Sequence, residues 1–292
     1  MSGRKIRRYH LNRNKIRKRA YKILLALVVI VMIVFLFFPV VAMLTVSIKP
    51  ANEVFSRPVR WMPSEPVWEN YIEVFKKMDI LVGFKNSIIV AIGSIITILL
   101  IGIPAAYAMS KLDYWFKGII YYLVLVSQMF APIIVIIPLY QQMNNWGLID
   151  NHISLVLMNV TFNLAFIVLM LKSSFDNVPI EVLESAKIDG CGRFQALIRI
   201  SLPIASMGIA VAIIFAFTRT WNEFLFAFTF TSSTSNKTII VKLYEILKNN
   251  PAIGIPWHLV MAGATIATTP LVILFISIRK YITGDVTKGA IK

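Results

Sequence analysis

Long runs without a charged side chain alternate with short polar connections along this chain. Six runs stand out: Ile23 to Ile48, Asn86 to Ser110, Gly118 to Tyr140, Ile153 to Leu171, Ile204 to Phe230 and Leu259 to Ile278. All but the fifth lack Asp, Glu, Lys, Arg and His; the fifth carries Arg219 and Glu223 in its later half. A helix needs roughly 20 mainly apolar residues to cross about 30 Å of hydrocarbon, and each run suffices. A barrel strand would be half as long and would alternate in polarity. The pattern therefore predicts an all-α, polytopic membrane protein with six transmembrane helices. The segments 1–22, 49–85, 172–203 and 279–292 lie outside them. Pro39, Pro104, Pro132, Pro138 and Pro270 fall within runs and are expected to mark kinks or span ends, which bundled helices tolerate. The first run is too long for a signal peptide core and no small-residue cleavage site follows it, so it reads as a retained anchor.

Composition agrees with this pattern. The chain has 292 residues, of which 58% are hydrophobic and 15% charged, with a mean hydropathy of +0.73. Soluble domains hold about 45–50% apolar and about 25% charged residues. The single cysteine, Cys191, excludes a disulfide framework. The net charge of +16 is unevenly placed. Ten Lys and Arg precede the first span with no acid among them, and the alternate connections raise that side to twenty against nine on the other. By the positive-inside rule both termini are expected in the cytoplasm. Because a span starts at once, the basic tail reads as an orientation signal in contact with anionic membrane lipid, not as a nucleic-acid arm.

The chemistry that is missing narrows the function. The sequence has no GxxxxGK[ST] phosphate loop. His10, His152 and His258 lie outside the spans, leaving an intramembrane metal site without ligands. No Ser or Cys within a span has a base beside it for hydrolysis. Five spans lack the ionisable groups that an ion-coupled secondary transporter commonly uses, although that class remains an alternative. What is left is a helix bundle with a path and no engine.

The connection 172–203 is long for an idle link. Asp176-Asn177-Val178-Pro179 reads as a helix start, a capping side chain followed by proline in the first turn, with Glu181 and Glu184 where the helix dipole favours anions. Asp189-Gly190-Cys191-Gly192 should end that helix. Phe194, Leu197, Ile198 and Ser201 then follow at the spacing of one helix face. The expectation is a helical hairpin outside the bilayer, resting on the membrane surface or docking to a cytoplasmic partner.

Pro179 to Gly190, followed by Ile200-Ser201-Leu202-Pro203, resembles the EAA loop of ABC importer permeases. Glu184, Ala186, Gly190, Leu202 and Pro203 match that pattern by position, while Ser185 and the pair Cys191-Gly192 keep small residues where the pattern has others. Ser47-Ile48-Lys49-Pro50 with Glu53 and Phe55, Ala106 to Lys111, Ile137 to Tyr140, Gly147 to Asp150, Trp221 to Phe224, and the end from Tyr281 to Lys292 with Gly284 and Gly289-Ala290 resemble the MalG branch of carbohydrate permeases. The resemblance runs from about residue 40 to the C-terminus.

It implies a subunit of the bacterial cytoplasmic membrane working with a second, MalF-like permease, two ATPase subunits and an extracytoplasmic sugar-binding protein. ATP and Mg would sit on the ATPase subunits and no cofactor on this chain. Glu181, Glu184, Ala186, Asp189, Gly190, Leu202 and Pro203 would form the loop that couples ATPase closure to the helices. The implied cargo is a carbohydrate, with a sugar phosphate or glycerol phosphate as the second reading, since the neutral spans argue against a strongly anionic cargo. Sugars are held by amides, hydroxyls and aromatic faces. The expected path residues are Ser127, Gln128, Asn159, Asn163, Phe215, Thr218, Asn222, Thr265 and Thr269. Arg219 and Glu223, four apart, are able to pair as a structural ion pair, a gate or a contact for the binding protein. The Pro- and Trp-rich segment 49–85 offers interfacial anchors or a scaffold for receiving that protein.

Overall fold

The computed structural model describes the backbone of residues 3–77, 79–248 and 254–283, with side chains between residues 21 and 279 apart from Lys77. Regular structure among these residues is helical throughout. Gly284 and Gly289-Ala290 lie outside the described residues. The chain divides into two units: one holds the chain start through Tyr71 with Trp257–Thr265, the other Ile72–Pro256 with the remainder.

In the first unit, α1 (Gly3–Ser47) is a single helix of 45 residues. Its apolar part was expected to begin at Ile23, but no glycine or proline lies between Gly3 and Pro39, so nothing separates the basic leader from the span. Apolar side chains from Ile23 to Phe38 are exposed all round, as a lipid-facing or partner-facing helix requires. The segment after α1 is tied back to its end. The Asn70 amide donates to the carbonyls of Ser47 and Lys49, both at 2.9 Å, and the Val67 N–H donates to Ile48 O at 2.8 Å. Ser64 N–H and Arg60 both reach the Glu53 carboxylate. The Ser64 hydrogen bonds hold that carboxyl below its ordinary value. Trp61 and Trp68 are exposed beside this segment, consistent with interfacial anchoring.

The second unit includes most of α2 (Glu69–Lys77) and is centred on α3 (Ile80–Lys111) and α6 (His152–Asp176), which pack along their lengths. Ile98, Ala106, Tyr107, Ile167, Leu171 and Phe175 fill their interface. The helix α10 (Ser206–Trp221) lies across both. It presents Gly208, Ala212 and Ala216, a four-residue stripe of small side chains that lets backbones approach without hydrophobic drive from water. A Cβ on Gly208 would stand 1.9 Å from Ser174 Oγ, so the close approach there requires glycine. A second core joins Val90, Met143, Leu155 and Met158 to Phe226 and Phe230 of α11 (Leu225–Phe230) and Val241 of α12 (Ile239–Lys248). The last helix, α13, runs Trp257–Thr283.

Two expected spans are not continuous helices. Gly118 to Tyr140 divides into α4 (Lys117–Ser127), a 3-10 turn Pro132–Val135 and α5 (Ile136–Asn145), bent by 84°. Proline disfavours helical backbone in the residue before it, and Ala131 is extended at ψ 127°. Ile204 to Phe230 divides into α10 and α11 because Glu223 caps a new helix instead of continuing the old one. The helices long and apolar enough to cross a membrane number four among the described residues, or up to six if two bent pairs each count as one span: α4 with Pro132–Asn145, and Arg193–Ile204 with α10, the latter bent by 80°.

Opposite the hairpin, α6 begins where Asp150 accepts from the N–H groups of Ser232 and Ser233 at 3.0 and 3.1 Å. Asn86 donates to Ser235 O and Lys237 O, and the Ile239 N–H donates to Ser87 Oγ. Burial pushes the Asp150 carboxyl up, but hydrogen bonds from Ser233, Ser232 and Asn236 outweigh it and hold the group below its ordinary range.

Candidate functional site

The hairpin forms from its own turn chemistry. Its first helix, α7 (Ile180–Ile188), starts at Pro179. The capping side chain expected just before it is absent, since the N-cap is Pro179 with no side-chain hydrogen bond; Asp176 belongs to the end of α6 and accepts from Ser110 at 2.6 Å and Lys172 at 2.7 Å. The helix ends in a Schellman motif: Cys191 N–H donates to Ala186 O at 2.9 Å and Gly190 N–H to Lys187 O at 3.1 Å. Gly190 sits at φ +83°, in the left-handed region open to glycine.

The return strand of the hairpin is α8 (Arg193–Ala196), a π turn over Leu197–Ser201 and α9 (Leu202–Ile204). The face expected from Phe194, Leu197, Ile198 and Ser201 is not one face. A π turn takes more residues per turn than an α-helix, which separates buried Leu197 and Ser201 from exposed Phe194 and Ile198. The hairpin is thus left with uncovered apolar side chains at its tip: Ile188 is 87% exposed and Phe194 71%. Glu181 and Glu184 along α7, Asp189 beside Ile188 and Pro203 at the end of the return segment are also exposed, Ala186 is buried, and Leu202 packs on the core.

A clamp joins the hairpin to the helices. Lys111 at the end of α3 donates to Val178 O at 2.6 Å, while Asp176 holds Ser110 and Lys172 together. These contacts tie the start of the hairpin to the ends of α3 and α6. Between the hairpin and the end of α3 lies a cavity of about 500 Å³ that Glu184 lines with Lys111, Lys187 and Arg193. Sequence reasoning missed this clamp because Ser110 and Asp176 are far apart along the chain and only the fold brings them together.

The expected path residues are spread over several helices and both units. Asn159 and Asn163 are buried within the unit, and each bonds along its own helix, Asn159 to Leu155 O at 2.9 Å and Asn163 to Asn159 Oδ1 at 3.5 Å. Their spacing identified the shared face but not that it is buried within the unit. Ser127 and Gln128 stand at the break after α4, where Ser127 lines a cavity of about 580 Å³ with Thr161 and Leu164. Phe215, Thr218 and Asn222 keep their shared face, open at Phe215 and Asn222. Thr265 lies on the first unit's part of α13 and Thr269 on the second's.

Arg219 and Glu223 do not pair. The Glu223 oxygens accept from Phe226 N–H at 2.7 Å and Ala227 N–H at 3.0 Å, satisfying the first turn of α11 as an N-terminal carboxylate should. The Arg219 guanidinium instead lies over Phe166, 4.0 Å from the ring centroid. Because α10 ends at Trp221, the i, i+4 geometry that would have joined the two charges is broken.

Comparison with known proteins places this arrangement. Residues 98–288 match the family described as the binding-protein-dependent transport system inner membrane component. The chain belongs to that family: it is a multi-pass inner membrane permease of an ABC importer, a transport component and not a catalyst. It is 32% identical over 257 residues to the inner membrane ABC transporter permease protein YcjP of Escherichia coli (strain K12), covering 87% of this chain and 91% of that one. It is 30% identical over 277 residues to the trehalose/maltose transport system permease protein MalG of Thermococcus litoralis, covering 93% and 97%. A bacterial ABC transporter that imports the acidic polysaccharide alginate has the same fold, with a TM-score of 0.78 at 20% identity over 91% of this chain and 98% of that one.

Proposed function

We propose that the chain forms half of the translocation path of a carbohydrate importer and that the hairpin from Ile180 to Pro203 is where a partner ATPase drives it. The observation that carries this reading is the uncovered apolar tip, Ile188 and Phe194, on a hairpin rigidly capped at Gly190 and clamped to α3 and α6. Exposed apolar side chains on a hairpin that also exposes Glu181, Glu184 and Asp189 fit a protein cleft. The trehalose/maltose relative supports a carbohydrate cargo.

In this reading the hairpin and both termini face the cytoplasm, a second related permease completes the path, and ATP and Mg bind the ATPase subunits. Alternating access requires the nucleotide-bound ATPase pair to hold one arrangement of the hairpins more tightly than the other, since a ligand with no preference shifts nothing. The stiff link from Gly190 through Val178 to Lys111 passes that preference to α3.

The test is uptake of maltose and trehalose by vesicles containing the complete complex and its binding protein. Uptake should persist when ion gradients are collapsed and stop when a non-hydrolysable ATP analogue replaces ATP. Uptake that follows an ion gradient and ignores ATP would sink the reading.

A further inference from the structure

Arg219 is a fixed positive charge within a membrane-crossing stretch, and such a group is costly unless something neutralises it. The nearest carboxylate in its own sequence, Glu223, is committed through both oxygens to the amides of Phe226 and Ala227. No ion pair to Arg219 occurs among the described residues; its contact is the Phe166 ring at 4.0 Å. Arg219 is exposed on the surface of α10, so its guanidinium is open to what lies beyond the unit.

The surroundings define what would fit there. Phe166 and Phe215 stand 5.8 Å apart, centroid to centroid, with Phe215 43% exposed. Together they give an apolar ring surface beside a planar donor. Thr218 and Asn222 continue the same stripe of α10, and Asn222 spends one amide N–H on Thr218 O, leaving its carbonyl oxygen for a hydroxyl. An aromatic face suits the C–H face of a pyranose, an amide suits its hydroxyls, and a guanidinium binds a planar oxyanion with two parallel hydrogen bonds.

We propose that Phe166, Phe215, Arg219 and Asn222 form a subsite for an acidic sugar, the guanidinium receiving an oxyanion carried on the ring. The inference rests on the carbohydrate reading above and specifies the cargo further. It also reverses the expectation drawn from neutral spans: an almost uncharged path with one unneutralised arginine selects for an anion. Stacking on Phe166 holds the guanidinium plane in place before the ligand arrives, so less side-chain freedom is lost on binding.

The experiment is equilibrium dialysis with the complete transporter in nanodiscs, without binding protein, using a trisaccharide ending in glucuronate and its neutral counterpart made by carboxyl reduction. The acid should bind about tenfold more tightly than its neutral twin, as one charge-assisted bidentate contact provides. That ratio should fall towards one in Arg219→Gln and only part-way in Arg219→Lys, which keeps the charge but loses the paired donors, with size-exclusion profiles confirming assembly of both variants. An equal affinity for the two sugars, or a preference that Arg219→Gln leaves intact, overturns the subsite. If ATP-driven uptake of neutral sugar succeeds while the acid has no advantage, the subsite alone fails. Failure of uptake as well removes the carbohydrate reading.

Discussion

At the scale of residues, the informative side chains are those whose partners lie far away in sequence. Asp150 holds a left-handed conformation at φ +59°, which Asp and Asn tolerate better than other non-glycine residues, and its carboxylate collects the Ser232 and Ser233 amides. Asp150→Asn keeps the backbone geometry and removes the charge, so it should cost about 1 kcal/mol at neutral pH. The carboxyl is held below its ordinary value of 3.8 in the folded protein. Its stabilisation is therefore complete above that ordinary value and is lost as pH falls through the lowered one. Thermal unfolding of the purified transporter across pH should show a constant gap between wild type and variant near neutrality that closes in acid below the carboxylate range. A gap of unchanged size in strong acid would contradict the charge-based role. Gly190 was legible from the sequence because two glycines close a helix for local reasons. Asp150 and Ser233 were not, since nothing local to either announces the other.

At the scale of elements, packing depends on small residues in the right row. Gly208 touches Ser174 so closely that an added methyl group would stand 2.3 Å from Ser174 Cβ, and a serine Cβ cannot swing away as the end of a long side chain can. Gly208→Ala should destabilise the unit by about 1–3 kcal/mol through overpacking. Ser174→Gly in the same chain should restore most of that loss beyond the helix cost of the second glycine, a non-additive result. Unfolding of the two single variants and the double variant measures the coupling, and strict additivity would show that α6 and α10 do not meet here. The sequence revealed the helices but not where they break. Pro132 announced a kink but not a bend of 84°, and Glu223 reads in the sequence as a partner for Arg219 four residues back, not as the cap of a new helix. The hairpin shows the same limit: i, i+3, i+4 spacing assumes α geometry, and the π turn at Leu197–Ser201 moves Leu197 and Ser201 off the face of Phe194.

At the scale of the whole molecule, the distribution of charge and apolar surface divides the labour. Ten basic residues precede the first span and five of six apolar runs carry no charge. The class of fold was legible because hydrocarbon admits few backbone solutions. The coupling hairpin was legible because its turn and motif are local. The path was not, because which face of α6 turns inward depends on neighbours that one sequence window does not contain; Asn159 and Asn163 ended inside the unit for that reason. In the proposed function force enters from a partner, through the uncovered tip of the hairpin at Ile188 and Phe194.

The most direct measurement replaces Cys191 with Ser and Ile188 with Cys, so that the sole thiol of this chain stands at that tip, and treats the assembled transporter with a short thiol-reactive bifunctional crosslinker. A crosslinked product containing this chain and the ATPase subunit, with a yield that changes on nucleotide binding, is the predicted result. Absence of that product in a complex that still imports sugar would contradict the role given to the hairpin.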